Sequence, residues 1–190
     1  MSKNVLADFK LPHWNDLPAI PLYLDQVLSL VEEWLGPYLT VDNKPIMTKT
    51  MINNYVKQKF IPAPVKKKYD RLTVAYIVII AVLKPVYNID EIMAFVRLAL
   101  DFSGDEVAYD QFCDNIELAV KHAFEQTTMP KPEDPKDPRH VSWSVCNAFA
   151  CQLYARKVYL EHAALEEALR TREEKRNSRT PDQSPQNNNA

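Results

Sequence analysis

The chain has 190 residues, of which 46% are hydrophobic, and a formal net charge of −2. A chain of this size and composition can bury a substantial core, so we expect one globular domain with at most an appended helical layer. It contains only two glycines and neither a GxGxxG nor a GxxxxGK motif, which argues against dinucleotide-binding and P-loop enzymes.

Three features of the chain favour the cytoplasm. The N-terminus lacks the basic end and apolar run of a signal peptide. The most apolar stretch, residues 74–83, is too short to cross a bilayer. The cysteines, Cys113, Cys146 and Cys151, have no paired spacing, which suits a reducing compartment. We therefore predict a cytoplasmic protein with no membrane association.

Two helices are predicted in the first third of the chain. Apolar residues at three- and four-residue intervals predict a helix that follows Pro21 and ends near Gly36 and Pro37. Thr48 is the predicted N-cap of a short second helix. The apolar stripe of this second helix consists of Met51, Ile52 and Tyr55. Its remaining faces should be open to solvent or to a partner.

A basic, proline-bounded segment follows the second helix. Pro62 and Pro64 force extended or turn geometry on their neighbours, so residues 60–65 cannot be helical. Together with the lysines that come next, the segment is predicted to form a short β-hairpin or an extended loop. Asp70 then caps a helix that runs to about Leu83 and is apolar nearly all round, which indicates a buried central element.

Capping-box spacings predict two helices in the middle of the chain. Asn88 and Glu91 have this spacing and begin a helix that ends near Leu100. Ser103 and Glu106 repeat the spacing and begin a helix that ends near residue 124.

The last third of the chain begins with a proline-rich segment. Four prolines within residues 129–138 predict an extended linker, and Asp137 followed by Pro138 is the predicted start of the last helix. This helix is apolar at first and charged from Glu166 to Arg176. Residues 176–190 are polar and low in complexity, so they are predicted to be disordered. The predicted fold class is all-α with at most one small β-hairpin.

Positive charge is concentrated in one part of the chain. From Lys44 to Arg71 there are eight cations and one acid, or +7, so the other residues sum to −9. Lysines contact phosphates, and an asparagine side chain can bond both a donor and an acceptor on a base edge. The candidate DNA-binding residues in this window are Lys49, Asn53, Asn54, Lys57, Lys66, Lys67, Lys68 and Arg71.

The order of the predicted elements is that of a winged helix-turn-helix. A helix and a polar connection precede a short helix, a basic hairpin and a buried helix. In such a domain the short helix reads base edges and the hairpin reaches the neighbouring backbone or minor groove. We predict a recognition helix around Thr48–Gln58 and a basic wing at Lys66–Lys68.

Three runs of the sequence resemble the bacterial family called domain of unknown function 1836. They are LPHWNDLPAIPLYLDQVLSLVEEWL from Leu11, MTKTMINNYVKQKFIPAPVKKKYDRLTVAYIVIIAVLK from Met47, and NIDEI from Asn88. The resemblance covers roughly residues 8 to 125. That family is similar to the DNA-binding domains of MerR-type regulators, and its members are taken to be transcriptional regulators.

The resemblance implies further residue roles. Tyr55 falls at the position of a recognition-helix tyrosine in MerR-type proteins, so it joins the candidate DNA contacts, and Tyr69 falls where the hairpin returns. Two positions depart from that pattern: Lys59 stands where a glycine usually ends the helix, and Asn53 stands where an arginine is usual.

The resemblance also implies a domain organisation and partners. Residues 1–100 would be a MerR-like DNA-binding domain with an N-terminal arm, and residues 101–175 a helical dimerisation or sensing region. The expected partners are double-stranded DNA and a second copy of the chain, because symmetric half-sites require a two-fold dimer. An effector ligand would be a further partner, but no motif indicates its identity.

One alternative from a different class is a helical protein-interaction module that uses the same lysines on an acidic partner. An enzyme is not expected. Cys146 and Cys151 lie five residues apart, or ~500° of helical rotation, so with His140 they form no metal site and are expected to be small buried cysteines. Ser142 and Ser144 match no nucleophile motif. No cofactor, metal or catalytic residue is predicted.

Overall fold

The computed structural model describes residues 8–41, 43–101 and 103–177. Its elements are a 3₁₀ turn (Trp14–Asp16), β1 (Leu22–Tyr23), α1 (Leu24–Leu39), α2 (Lys49–Lys57), β2 (Lys68–Tyr69), α3 (Arg71–Leu83), α4 (Ile89–Leu100), α5 (Asp105–Glu125) and α6 (Arg139–Asn177). The mainly helical fold predicted from the sequence is confirmed. The predicted disordered tail lies outside the described residues, apart from its first two.

Helix α3 is the centre of the core. Ten of its 13 residues are buried, as its uniformly apolar sequence predicted. The Asp70 carboxylate accepts a hydrogen bond from the Thr73 backbone N–H at 2.9 Å, which confirms the predicted cap. Helix α3 packs against both α1 and α4. It therefore supports the helix that precedes the basic window and the helix that follows it.

Most of the predicted helix starts are confirmed. Thr48 caps α2 by accepting from the Met51 N–H, and Asn88 and Glu91 form a reciprocal capping box on α4. For α5, the predicted capping box of Ser103 and Glu106 is wrong. Gly104 is the N-cap residue, and the Ser103 hydroxyl instead donates to the Ala99 carbonyl at the end of α4.

Helix α1 continues beyond the predicted end. It runs through Gly36 and Pro37 to Leu39, because its last turn buries Leu39 in the core. The Glu32 carboxylate accepts from the Thr40 hydroxyl at 2.9 Å and so holds the chain just after the helix. A Cβ atom at Gly36 would lie only 3.3 Å from that carboxylate. The glycine therefore leaves room for the Glu32 side chain and does not end the helix.

Two charged side chains hold the connection between α1 and α2. Glu32 also accepts from the Ile46 backbone N–H at 3.2 Å, and the Lys84 ammonium donates to the Ile46 carbonyl. Burial lowers the pKa of Lys84, and the negative charge of Glu32 partly opposes this effect. Both backbone polar groups of Ile46 are therefore satisfied, one from α1 and the other from the residue that follows α3, which fixes the start of α2.

The predicted hairpin is present in a shorter form. Lys66 and Lys67 make a two-residue turn that is closed by an antiparallel bridge between Val65 and Lys68. The longer pairing joins β2 to β1, with Tyr69 opposite Leu22, and the sequence did not predict it. The strand before α1 and the strand before α3 therefore form one small antiparallel sheet.

The segment that precedes β1 packs against the second half of the chain. Phe9, Leu11 and Leu17 are buried in the core. The Leu11 N–H donates to the Glu117 carboxylate of α5 at 2.9 Å, and the rings of Phe9 and Phe149 lie 6.3 Å apart. Residues on both sides of the predicted boundary at residue 100 thus contribute to one core, and their division into two functional regions stays a prediction.

The proline-rich segment between α5 and α6 has no regular structure, as predicted, but it is anchored. Met129 is buried, and its carbonyl accepts from the Trp143 ring N–H at 3.3 Å. At the start of α6 the Asp137 carboxylate accepts from the Arg139 N–H at 2.9 Å.

The described chain forms two compact units. One comprises the described residues up to Tyr154 and contains the core, and the other comprises those from Ala155 onward, which continue α6. The second unit carries exposed apolar residues, which are Val158, Tyr159, Leu160, Leu165 and Leu169. Within residues 8–41, 43–101 and 103–177, no helix combines the length and apolar character that a membrane span requires.

Candidate nucleic-acid interface

Helix α2 presents amide and ammonium groups on its solvent side. Ile52 is fully buried beneath the helix, which turns Lys49, Asn53 and Lys57 outward at four-residue spacing. Asn54 is exposed beside them. The prediction that these four side chains are exposed is therefore confirmed.

The C-terminal end of α2 is closed by a residue in a left-handed conformation. Lys59 has a φ of 62°. The Phe60 N–H donates to the Tyr55 carbonyl at 2.9 Å and the Lys59 N–H to the Val56 carbonyl at 3.0 Å, which is the Schellman arrangement. Glycine is the usual residue at this position, so Lys59, which the sequence showed as a departure from that glycine, adopts the left-handed conformation with strain.

The turn between Val65 and Lys68 holds two more lysines in left-handed geometry. Lys66 and Lys67 have φ values of 50° and 65°, and two 3.0 Å backbone hydrogen bonds join Val65 and Lys68. Positive φ at both central residues defines a type I′ turn, for which Asn-Gly is the preferred sequence. Both ammonium groups are exposed at the tip of the turn.

The start of α1 brings α2 and the turn into one region. The Lys49 ammonium lies 2.6 Å from the Asp25 carboxylate, in the first turn of α1. The Lys68 ammonium lies 5.0 Å from the ring centre of Tyr23, the N-cap residue of the same helix. Cations from the beginning of α2 and from β2 therefore meet at residues 23–25.

These contacts divide the nine candidate residues into two groups. Lys49 and Lys68 are engaged as described above, and the Arg71 guanidinium is held at 5.7 Å from the Trp14 ring. Tyr55 is half-buried, and burial raises its pKa. The other five are exposed and have no side-chain hydrogen bond or ion pair to any described residue; they are Asn53, Asn54, Lys57, Lys66 and Lys67.

Sequence reasoning did not select three residues that shape this surface. Tyr23 and Asp25 position Lys68 and Lys49, yet they lie more than 20 positions away along the chain, and no local pattern connects them. Lys59 was noted only as a departure from a glycine, and its ammonium is exposed beside those of α2.

The cysteines and histidines are not brought together. Cys146 is buried, and burial raises its pKa to about 12. The prediction that Cys151 is also buried is wrong, because it lies on the solvent side of α6. The His140 ring instead pairs with the Asp134 carbonyl at 2.9 Å. In the part of the chain that the structure describes, no group of three or more His, Cys, Asp or Glu side chains is arranged to hold a metal ion.

Comparison with known proteins gives one match. No curated protein and no solved structure matches the chain. One family model, described as domain of unknown function (DUF1836), matches residues 12–116, which include α1 to α4 and the basic turn. Because this match covers more than half of the 190 residues, the chain belongs to the DUF1836 family.

Proposed function

We propose that the chain is a sequence-specific DNA-binding transcriptional regulator that acts in the cytoplasm. Its DNA-binding region would be a MerR-like winged helix-turn-helix, with α2 as the recognition helix and the turn at Lys66 and Lys67 as the tip of the wing. The observation that carries the proposal is a set of five exposed side chains on α2 and the turn that have no partner among the described residues, in a chain whose other regions are acidic.

The two kinds of side chain in this set suit different tasks. Asn53 and Asn54 offer amides on the outer face of a helix narrow enough to enter a major groove, where an asparagine can pair with an adenine edge. Lys57, Lys66 and Lys67 are exposed cations on two separate elements, and such cations neutralise phosphates on either side of a groove. Affinity and selectivity would then reside in different residues.

A dimer is part of the proposal. Val158, Leu165 and Leu169 are exposed at spacings of seven and four along α6, which is the spacing of a helix–helix seam. Paired copies would present two recognition helices to a symmetric operator. Sedimentation equilibrium tests this point, and a monomer at micromolar concentration would contradict it.

Selection of bound sequences from a random DNA pool, followed by mobility-shift titration, tests the proposal. The wild-type chain should enrich one motif and bind it far more tightly than scrambled DNA. Asn53→Ala combined with Asn54→Ala should cost ~1 to 3 kcal/mol for each lost base contact on the selected motif and little on scrambled DNA. Equal losses on both DNAs would remove these asparagines from base reading.

The DNA selection also distinguishes a DNA-binding regulator from the alternative, a protein-interaction module. A chain that enriches no motif and shifts no DNA, but is retained by an acidic protein in nuclease-treated lysate, would be an interaction module. In that case the lysines would keep their role and the asparagines would lose theirs.

A further inference from the structure

A large cavity opens on the side of α3 that faces α4 and α5. It has a volume of about 780 Å³, and its walls come from α3, α4, α5, the proline-rich segment and the first turns of α6. Cores close-packed to native density contain few voids larger than a water molecule, whereas small-molecule sites measure ~300 to 1,000 Å³. The cavity therefore has the size of a binding site and not of a packing defect.

The walls of the cavity are mainly apolar. Five aromatic residues of the described chain contribute to them, and most of the remaining lining is aliphatic. The rings belong to Tyr76, Phe95, Tyr109, Phe112 and Trp143. Contact of these walls with water is unfavourable, by ~25 cal/mol for each Å² of apolar surface. An occupant with a mainly apolar surface removes that cost.

A few polar groups face the same space. The Asn115 amide donates to the Ser142 hydroxyl at 3.3 Å, between α5 and α6, and both residues line the cavity. The hydroxyl of Tyr76 makes no hydrogen bond to any described residue, although this ring is half-buried. Burial and the nearby Asp105 charge raise its pKa, so the hydroxyl keeps its proton and remains a donor. The cavity thus offers at least one hydrogen-bond donor to an occupant.

The charged groups at the cavity cancel. Asp137 and Arg139 form a two-pronged ion pair with each other, with the guanidinium Nε 2.9 and 3.0 Å from the two carboxylate oxygens. Asp105 and Lys131 add one charge of each sign. A ligand with a net charge gains no complementary field from such a lining, and it would lose its hydration on entering. The lining therefore favours a neutral occupant.

We propose that this cavity binds a neutral, largely apolar small molecule that carries at least one hydrogen-bond acceptor. The proposal does not depend on DNA binding, because all the lining residues lie outside the basic window; the nearest of them, Leu72 on α3, follows Arg71. It assigns a ligand class to a region for which no sequence motif indicated one.

Titration with N-phenyl-1-naphthylamine, a neutral apolar dye whose fluorescence rises in apolar surroundings, tests the proposal on the full chain. Saturable binding is expected. Ala99→Trp places a large ring at the cavity from the exposed side of α4 and should weaken binding at least tenfold. Ala94→Trp is the matched control, because Ala94 is exposed on the same helix but does not line the cavity, and it should bind the dye as the wild type does.

A second variant keeps the test valid if the first variant does not fold. Gln111→Trp narrows the cavity from an exposed position on α5 and should weaken dye binding in the same way. Circular dichroism melting shows whether each variant is folded. Absence of saturable binding by the wild type would overturn the proposal, and so would an unchanged affinity in a folded cavity variant. Equal weakening by Ala94→Trp would overturn it as well.

Discussion

Replacement of the strained lysine turn by Asn-Gly should raise stability and lower DNA affinity in the same molecule. The double variant Lys66→Asn, Lys67→Gly gives the type I′ turn its preferred sequence while it removes two exposed cations. The backbone hydrogen bonds between Val65 and Lys68 need no change. Opposite signs for the two effects distinguish a role in binding from a general loss of folded protein.

The gain in stability follows from the backbone conformation. A non-glycine residue in the left-handed region costs ~1 to 2 kcal/mol, which asparagine tolerates better and glycine avoids. Part of this gain is offset because glycine makes the unfolded chain more flexible, so the expected net stabilisation is about 1 kcal/mol. For a chain of this length the melting temperature should then rise by ~2 to 4 °C.

The loss of affinity follows from counterion release. Each phosphate contact contributes about −0.9 to the slope of log K against log salt concentration, so loss of two contacts should flatten the slope by about 1.8. At 0.15 M salt this corresponds to roughly thirtyfold weaker binding. Fluorescence-anisotropy titrations of labelled duplex DNA at four or more salt concentrations measure both quantities.

The matched control removes the same charge elsewhere. Lys121 and Lys136 are exposed and lie outside the basic window, so Lys121→Gln with Lys136→Gln should leave the slope unchanged. An unchanged slope in the turn variant, or an equal change in the control, would refute a role of the turn in DNA binding. A lower melting temperature of the turn variant would refute the reasoning about strain.

Three further outcomes are expected. Lys59→Gly should stabilise the chain by ~0.5 to 1 kcal/mol in thermal melting, because it relieves the left-handed residue at the end of α2. A maleimide reagent should label Cys151 in the native chain but reach Cys113 and Cys146 only after unfolding, as mass spectrometry of digests would show. His13→Gln should reduce the stability advantage of the chain near pH 6 relative to pH 8 in denaturant titrations.

The sign of the pH effect follows from the ion pair of His13. Burial lowers the pKa of this ring, but its hydrogen bond to Asp114 at 3.1 Å and the surrounding carboxylates of α5 raise it above its ordinary value of 6.5. The stabilisation is therefore complete below pH 6.5 and is lost as the pH rises through the folded-state pKa. The same pH dependence in the variant would contradict this assignment, and native labelling of Cys146 would contradict its burial.

For Lys59→Gly the matched comparison is Lys57→Gly, two residues earlier within α2. There glycine enters a helical position and should destabilise by about 1 kcal/mol. Equal effects of the two substitutions would show that the left-handed conformation at Lys59 has no influence on stability.

The features that the sequence predicted well are local ones. The caps at Thr48, Asp70 and Asn88 depend on side chains and backbone groups three residues apart, so their spacing in the chain is enough to recognise them. The outward direction of Asn53 and Lys57 follows in the same way from helical periodicity around the buried Ile52.

The features that the sequence did not predict depend on contacts between distant residues. The pairing of β1 with β2 joins residues almost 50 positions apart in strands of only two residues, which leave no alternating pattern to detect. Helix α1 passes Pro37 because burial of Leu39 outweighs the local penalty of the ring. The ion pair between Asp25 and Lys49 and the cation–π contact between Trp14 and Arg71 likewise form only after folding.

The contact between Phe9 and Phe149 bears on how the protein can be divided for experiments. Phe9 precedes the family match at residues 12–116 and Phe149 follows it, yet both rings are buried in the same core as Ile116. Loss of one buried aromatic side chain costs ~3 to 5 kcal/mol, a large part of the stability of an average domain. A fragment cut at the limits of the family match would therefore lack two aromatic side chains of its own core, and a fragment meant to fold should include residues 8 to 154.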